Sequence, residues 1–311
     1  MKVRLALLVT LALSSITAEL SALYLRPYAG QLQSSVDFLN NPRTIAGGGF
    51  EVSGVVHING TNGFLFVDDD NTKHVLWLEL ASDGTQKGKA ARIPLGAEIV
   101  DPEGMTTDGK YIYIVGSQSK RQSSSGVGLM RFVFDSQRRM IHSVESIREL
   151  KSFLAKALVE LRNTDINIEG LAWDPMQNRL LLGLREPLDN GRALLVPLTL
   201  RQPGGPLSND NINVGPPIPL HLDGEGIRSI EYDPSRKAFL VITGASQNKE
   251  DREFRLLLWS GTASVDSPPI LRRFPSKLKP EGVTMATLDG SETHMLVFDV
   301  GRYSIGPLQS D

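Results

Sequence analysis

Four glutamates, each followed directly by a glycine, recur at the start of an apolar run. They are Glu103, Glu169, Glu225 and Glu281, separated by 66, 56 and 56 residues. If these carboxylates converge on one place, each raises the pKa of the others unless a cation or an arginine compensates them. Carboxylate oxygens without any sulfur suit Ca²⁺ or Mg²⁺, and Ca²⁺ tolerates irregular geometry better. We therefore predict that the four glutamates are ligands of a Ca²⁺ ion.

The segments around these glutamates predict a β-propeller. Each copy reads as an apolar run, a turn of the Asn-Gly, Asp-Gly or Asp-Pro kind and a second apolar run, which is typical of adjacent antiparallel strands. Two further strand-like runs usually follow, which gives the four strands of a propeller blade. A degenerate first copy has Ser53 in place of glutamate. Five copies indicate an all-β protein with five blades, and six blades is the alternative. We expect the segment around residues 21–30 and its neighbours to supply the outer strands of the last blade.

The topology of a propeller indicates which residues accompany the glutamates. The first strand of each blade lines the central channel, and it begins at the end of the channel where the second strand stops. We therefore predict a ligand-binding mouth that includes the residues closing the second strands, namely Asp68, Asp69, Asp70, Arg185, Glu186, Asp299 and Arg302. The aspartates would extend a cation site, whereas the arginines would neutralise the glutamates or hold an anion. The alternatives are a solvated acidic loop at residues 68–70 and glutamates that only hydrogen-bond one blade to the next.

Composition excludes several other kinds of site. The chain has 33 Lys and Arg against 35 Asp and Glu, so it carries no basic excess suited to nucleic acid. It has no cysteine, which excludes disulfides, thiolate metal sites and a cysteine nucleophile. The five histidines lack the paired spacing of a zinc site. Neither a nucleophile elbow nor a phosphate-binding or dinucleotide-binding glycine motif is present.

The first 18 residues predict a secretory signal peptide. Lys2 and Arg4 precede an apolar run over residues 5–13, and small and polar residues lead to a cleavage site near Ala18. The run is shorter than the about 20 residues of a transmembrane helix, and an uncleaved anchor is the alternative. We expect a secreted or periplasmic monomer in which residues 19–311 form one propeller domain with no membrane span after cleavage.

One segment departs from the strand pattern. Between about residues 144 and 162 apolar side chains recur at helical spacing, at Ile147, Leu150, Phe153, Leu154, Ala157, Leu158 and Leu161. This pattern predicts an amphipathic helix inserted in the second blade. Because an apolar stripe is ordinarily buried, we expect the helix to pack on its own propeller rather than on a partner.

Parts of the sequence resemble known propeller families. The strings INIEGLAWDPMQNRLLLGLREPL, GRALLVPL and KPEGVTMATLDG, with MLVFD after the last, resemble an uncharacterised bacterial family of secreted or periplasmic β-propellers, domain of unknown function 3616. They are also similar to the phytase-like esterase and SdiA-regulated propeller families, in which Glu-Gly strand starts recur. The resemblance covers roughly residues 45–305. It implies a propeller with a divalent cation in the channel and no particular substrate. Ser53 departs from the pattern, which puts a complete carboxylate ring in doubt.

Two functions of different classes follow from these features. The first is an exported binding or scaffold propeller whose mouth holds Ca²⁺ and a small anionic ligand. The second is a phytase-like, Ca²⁺-dependent phosphoesterase or esterase, in which the metal polarises the substrate and a glutamate activates water. Phosphate handling usually requires several cationic side chains near the metal, and only Arg185, Arg302 and Lys279 qualify. We therefore favour binding, and we expect no organic cofactor.

Overall fold

The described residues form a five-bladed β-propeller. The computed structural model describes residues 42–119, 126–245, 253–262 and 267–308. Each blade is an antiparallel sheet whose strands follow one another outward from the channel. The structure confirms the predicted fold class and the prediction of five blades. The predicted signal peptide and residues 21–30 lie outside the described residues.

The strands follow the order of the blades. After β1 (Arg43–Thr44), the first blade contains β2 (Val52–Ile58), β3 (Gly63–Asp68), β4 (His74–Glu79) and β5 (Ala91–Pro94). The second contains β6 (Pro102–Thr107), β7 (Ile112–Gly116), β8 (Val127–Asp135) and β9 (Met140–Arg148). The third contains β10 (Asn167–Asp174), β11 (Arg179–Glu186) and β12 (Ala193–Leu200), which pairs with both β13 (Ile212–Val214) and β14 (Ile218–Leu220). The fourth contains β15 (Glu225–Asp233), β16 (Ala238–Ala245), β17 (Phe254–Trp259) and β18 (Ile270–Phe274). The fifth contains β19 (Pro280–Leu288), β20 (Ser291–Phe298) and β21 (Arg302–Gly306).

The ring closes by pairing the two ends of the described chain. β1 adds to the outer edge of β21, with Arg43 opposite Tyr303 and Thr44 opposite Arg302. Among the described residues the last blade takes one strand, the outermost, from the N-terminal side, because β21 itself supplies the third strand. This corrects the expectation that the N-terminal side would provide several outer strands of that blade.

Apolar side chains fill the spaces between the blades. Five separate clusters of buried hydrophobic residues each join two neighbouring blades, and together they go once around the ring. The cluster between the fifth and first blades contains Val297 and Phe66, among others. Burial of apolar area is the main favourable contribution to folding, so these clusters hold together a chain that has no disulfides.

The inserted helix is shorter than predicted. The α-helix α1 covers Leu150–Ala157, and a short 3₁₀ turn follows at Val159–Leu161. Residues 140–148 are instead strand β9, in which Ile147 lies opposite Leu129 of β8. Strand pairing with β8 therefore overrides the helical pattern up to residue 148. No helix within the described ranges is long and apolar enough to cross a membrane.

The helix packs against its own propeller, as predicted. Leu150 and Leu154 are fully buried. They belong to the cluster between the second and third blades, together with Leu129 and Ile168. The apolar face of α1 is therefore part of the core.

Candidate functional site

A polar cavity of about 360 Å³ lies at the mouth where the inner strands begin. Its lining comes from all five blades and consists of Ser53, Asp69, Asp101, Glu103, Ser119, Asn167, Glu169, Arg185, Arg228, Glu281 and Asp299. Glu103, Glu169 and Glu281 thus meet there, as the topology of a propeller predicts. The fourth predicted glutamate, Glu225, is not among the lining residues.

A β-bulge directs each of the three glutamates into this cavity. The pairing of β6 with β7 skips Glu103, since Pro102 lies opposite Gly116 and Gly104 opposite Val115. The same shift of register omits Glu169 between β10 and β11 and Glu281 between β19 and β20. The extra residue of a bulge leaves the ladder, and its side chain can point in a new direction. The start of the strand therefore presents a carboxylate to the mouth, while the strand pairing continues on both sides of the bulge.

The fourth blade carries its bulge three residues later. In this blade Glu225 is regularly paired opposite Ala245, and the register shifts between Ile227 and Ser229, so that Arg228 is the bulged residue. Arg228 therefore takes the place in the mouth that glutamate has in the other blades. The different position of one bulge explains why the predicted ring of four glutamates has three.

Glu225 instead has partners inside its own blade. Its Oε2 accepts hydrogen bonds from Arg255 Nη2 at 2.8 Å, from Arg255 Nε at 3.1 Å and from Thr243 Oγ1 at 2.5 Å. The Glu225 and Arg255 side chains are both buried. Arg255 also donates to the Leu222 carbonyl at 2.7 Å. Glu225 thus has a structural role inside its own blade, which differs from the alternative of hydrogen bonding from one blade to the next.

Two arginines neutralise the other side of the mouth. Arg228 donates through Nε to Glu169 Oε2 at 3.1 Å and pairs through Nη2 with Glu281 Oε1 at 2.5 Å. Arg185 donates through Nη1 to Glu169 Oε1 at 2.7 Å and through Nε to the Ala245 carbonyl at 3.0 Å. These bonds join the third, fourth and fifth blades. Burial lowers the pKa of Arg228, but Glu281, Glu169 and Glu103 outweigh that effect, so the pKa is raised and the guanidinium stays charged.

Acceptor oxygens on the remaining side of the cavity lack partners. Asp69 Oδ1 and Asn167 Oδ1 are buried and accept no hydrogen bond. The Asn167 amide nitrogen donates to Glu169 Oε1 at 3.1 Å, which orients the free oxygen. Within the described residues the Glu103 carboxylate has no hydrogen bond or ion pair, and desolvation together with Glu169 and Asp101 raises its pKa well above the usual value. Desolvation, with Glu51 next, likewise raises the pKa of Asp69 to about 7.

The predicted second-strand ends fall into two groups. Asp69, Arg185 and Asp299 line the mouth cavity. Asp299 also accepts a hydrogen bond from Lys279 at 2.8 Å.

The other predicted mouth residues lie outside the cavity. Asp68 and Asp70 line a wider depression next to it. Glu186 lies opposite Asn167 in the sheet, and Arg302 is exposed on β21; neither lines either space. Carboxylate oxygens of Glu51, Asp69 and Asp70 come within 4.8 Å of one another, so Asp69 connects the cavity with this outer acidic group.

Three cavity residues were missed from the sequence although a signal was present. Asp101 and Asn167 each stand two positions before a Glu-Gly pair. Lys279 and Asp223 stand at the same position in the other two copies, so a polar residue recurs there. Arg228, the third, belongs to EGIR, where the other copies read EGMT, EGLA and EGVT. A charged residue at that position was the only sign of the displaced bulge.

One further carboxyl group lies deeper in the channel. Glu231 stands three residues after Arg228 on β15, and Thr284 Oγ1 of the fifth blade donates to it at 3.4 Å. Burial raises its pKa to about 8, although hydrogen bonds from Thr284 and from Thr106 of the second blade oppose the shift. Its partners belong to two other blades, so its side chain lies within the channel.

Replacing Glu231 by Gln should change how stability depends on pH. The folded protein retains a proton on Glu231 that the unfolded chain loses above about pH 4.3. Between about pH 5 and 8 the native state therefore binds more protons, and the free energy of unfolding falls as the pH rises. Glu231→Gln removes this contribution and should gain about 3–4 kcal/mol over the wild type between pH 5 and pH 8. Urea unfolding at several pH values measures it. Glu292→Gln, at an exposed position, is the control. If the free energy of unfolding depends on pH in the same way for the wild type and both variants, the prediction is wrong.

Comparisons with solved structures find propellers of low sequence identity. Glutaminyl cyclase from Myxococcus xanthus is 12% identical, with 85% of this chain and 93% of that chain covered and a TM-score of 0.47. A glucose dehydrogenase is 10% identical, with 87% and 100% covered and a TM-score of 0.46. A structural genomics protein of unknown function from Bacteroides thetaiotaomicron is 12% identical, with 86% and 72% covered and a TM-score of 0.42. Similarity at this level says nothing about activity.

The family comparison is more specific. The search of curated proteins finds no match. The family described as "Protein of unknown function (DUF3616)" matches residues 132–298. This range is more than half of the 311 residues and includes two of the three bulged glutamates together with Arg228. The chain therefore belongs to the DUF3616 family.

Proposed function

We propose that the protein is a binding propeller that holds Ca²⁺ in the mouth cavity. The observation that carries the proposal is the pair of buried acceptor oxygens without donors, Asp69 Oδ1 and Asn167 Oδ1, in the cavity that Glu103 also lines. Buried acceptors normally have partners, because an unsatisfied polar group costs free energy. A hard divalent cation is a partner that such oxygens can share.

The distribution of charge supports a cation on that side. Six carboxylates and two guanidiniums line the cavity. Glu169 and Glu281 are bonded to the guanidiniums, and Asp299 is bonded to Lys279. Asp69, Asp101 and Glu103 form no salt bridge within the described chain, and Glu103 interacts with Arg228 only through the longer-range attraction of their charges. Three neighbouring carboxylates in a confined space favour bound cations over continued repulsion.

The proposed ligand set therefore differs from four equivalent glutamates. Asp69, Asp101, Glu103 and the Asn167 amide oxygen are the candidate ligands, with the Ser53 and Ser119 hydroxyls as nearby oxygens of the same cavity. Among the described residues the one group of three acidic side chains whose oxygens lie within 4.8 Å of one another is Glu51, Asp69 and Asp70, so the cavity side chains would have to draw closer around the ion. Glu169 and Glu281 would instead fix Arg228 and define the far wall. Flexible, oxygen-only coordination of six to eight ligands is what Ca²⁺ accepts and what Mg²⁺ accepts less readily.

An anionic ligand and a phytase-like phosphoesterase activity receive less support. Arg185 and Arg228 already donate to carboxylates, so neither guanidinium is free to hold a phosphate in this arrangement. We propose binding as the primary function. Incubation with phosphomonoesters and carboxylic esters in the presence of Ca²⁺ tests the alternative, and turnover that Glu103→Gln abolishes would establish it.

Export, which we propose from residues 1–18, would place the site where Ca²⁺ is plentiful. Extracellular modules bind Ca²⁺ with dissociation constants of about 10⁻⁴ to 10⁻³ M, which agrees with a site of only three carboxylates.

Calorimetric titration tests the cation site. We expect the protein to bind one Ca²⁺ with a dissociation constant near 10⁻⁴ M, and to melt at a higher temperature when Ca²⁺ is present, because a ligand that binds only the folded state stabilises it. Glu103→Gln should weaken binding by about tenfold or more, since one charged ligand becomes neutral.

Two further variants locate the ion. Glu292→Gln removes an exposed carboxylate elsewhere and should leave the affinity unchanged. Glu51→Gln changes a carboxylate that does not line the cavity and acts on Asp69 only through its charge, so it should reduce affinity much less than Glu103→Gln does. Absence of Ca²⁺ binding by the wild type, or a greater loss in Glu51→Gln than in Glu103→Gln, would show that the ion is not in the cavity.

A further inference from the structure

A second cavity, of about 260 Å³, lies between the second and third blades. The turn that joins β6 to β7 lines it through Asp108, Lys110 and Tyr111, and Asn178 does so from the turn between β10 and β11. Both inner strands begin at the mouth, so these turns lie at the opposite end of the propeller. The two cavities have no lining residue in common.

The second cavity combines an apolar floor with an aromatic wall. The floor consists of the buried side chains Leu180, Leu198, Leu207 and Ile212. In the wall the rings of Tyr113 and Trp173 are nearly parallel, with an interplanar angle of 6° and centroids 6.3 Å apart. Trp173 is only partly buried, so part of its ring remains available. Such a surface suits a flat ring.

Arg131, which lies opposite Tyr113 in the sheet, makes this side of the cavity rigid. Its guanidinium lies 4.1 Å from the centroid of the Tyr111 ring. It also donates to Glu145 Oε2 at 2.7 Å and to the Gly205 carbonyl at 2.6 Å, and its side chain is 2% exposed. A wall held in this way is formed before any ligand arrives, which lowers the cost of binding.

The remaining polar atoms of the cavity are mainly donors. The Asp108 carboxylate already accepts from the Lys110 and Tyr111 backbone N–H groups, at 2.8 and 2.7 Å, and from the Tyr113 hydroxyl at 2.8 Å. Over the described part of the chain, the Lys110 ammonium, the Tyr111 hydroxyl and Trp173 Nε1 have no hydrogen-bond acceptor. A ligand that supplies acceptor oxygens would therefore pair with these donors, of which Lys110 is exposed.

We propose that this cavity binds a small planar aromatic carboxylate. The ring lies against Trp173 over the leucine floor, and the carboxylate accepts hydrogen bonds from Lys110 and the Tyr111 hydroxyl. Drug-sized ligands occupy about 300–1,000 Å³, so a cavity just below this range fits a ligand of one or two fused rings. The site is separate from the mouth and does not depend on Ca²⁺.

Ligand-observed NMR titration of the full chain with benzoate tests this site. Benzyl alcohol and benzylamine keep the ring and change the charge of the head group, so we expect affinity to fall in the order benzoate, benzyl alcohol, benzylamine. Lys110→Gln should weaken benzoate binding by about threefold, as for an exposed charge pair. Lys89→Gln, an exposed lysine elsewhere, should not change it. Benzoate should bind with the same affinity in the presence of Ca²⁺ and of a chelator. A lack of benzoate binding is therefore a separate result from a lack of Ca²⁺ binding at the mouth.

A second variant closes the cavity sterically. Thr199 lies at its half-buried edge, and Thr199→Trp should fill the space and abolish benzoate binding while the melting temperature changes little. If Thr199→Trp does not fold, the comparison of Lys110→Gln with Lys89→Gln decides. No benzoate binding at the highest soluble concentration, equal binding of benzylamine, or full binding by folded Thr199→Trp would overturn the proposal.

Discussion

Arg228→Met should lower the free energy of unfolding by about 3–5 kcal/mol at pH 7, because it leaves buried carboxylates without their partner. Arg228 bonds Glu169 of the third blade and Glu281 of the fifth, and all three side chains are at most 13% exposed. Methionine retains much of the apolar stem and removes the charge. Arg185 still compensates Glu169, so most of the cost should arise at Glu281. Urea unfolding followed by tryptophan fluorescence measures the change.

A control and a double variant separate charge from packing. Arg302→Met removes an exposed arginine of the same type and should change stability by less than about 0.5 kcal/mol. Glu281→Gln added to Arg228→Met should recover part of the loss, since the uncompensated charge is then gone. A loss below 1 kcal/mol for Arg228→Met, or no recovery in the double variant, would mean that the arginine does not hold the blades together.

Gly54→Ala should also be strongly destabilising, with a loss of about 3 kcal/mol. A Cβ atom at Gly54 would lie 2.4 Å from the Glu103 carbonyl oxygen and 2.9 Å from the Met105 nitrogen. Both obstacles are backbone atoms of the next inner strand, so relief requires β6 to move away from β2. The glycine therefore allows the first two blades to approach at the mouth, and thermal unfolding of the variant should show the loss directly.

Gly49→Ala is the matched control for this substitution. No atom lies within 4 Å of a Cβ placed there, and its backbone is not left-handed. The control should unfold within about 0.5 kcal/mol of the wild type. If Gly54→Ala and Gly49→Ala have the same free energy of unfolding, the close approach of the inner strands does not require glycine at position 54.

The repeat predicted the architecture well because it reflects what every blade shares. Each Glu-Gly pair begins an inner strand, and in three of the four copies the carboxylate occupies the bulge. The glycine after it permits close contact between strands. At Gly104, for example, a Cβ would lie 2.7 Å from Leu171 Cβ of the next blade. The meeting of Glu103, Glu169 and Glu281 at one mouth followed from this shared pattern.

What the sequence could not predict depends on contacts between distant segments. The bulge in the fourth blade lies at Arg228, and the partners that hold Glu225 regularly paired, Thr243 and Arg255, belong to β16 and β17, which the local sequence around Glu225 does not reveal. Likewise, Ile147 fits the apolar face of a helix and also fits a strand position opposite Leu129. The structure places it in the strand. The closing strand Arg43–Thr44 is too short for its pattern to be recognised.

The most direct test of the central claim is a crystal structure of the protein grown with Ca²⁺. We predict a single strong density peak in the mouth cavity, coordinated at about 2.3–2.6 Å by oxygens of Asp69, Glu103 and Asn167, with Arg228 still bonded to Glu169 and Glu281. An empty cavity at millimolar Ca²⁺, or density only at the outer group of Glu51 and Asp70, would contradict the account.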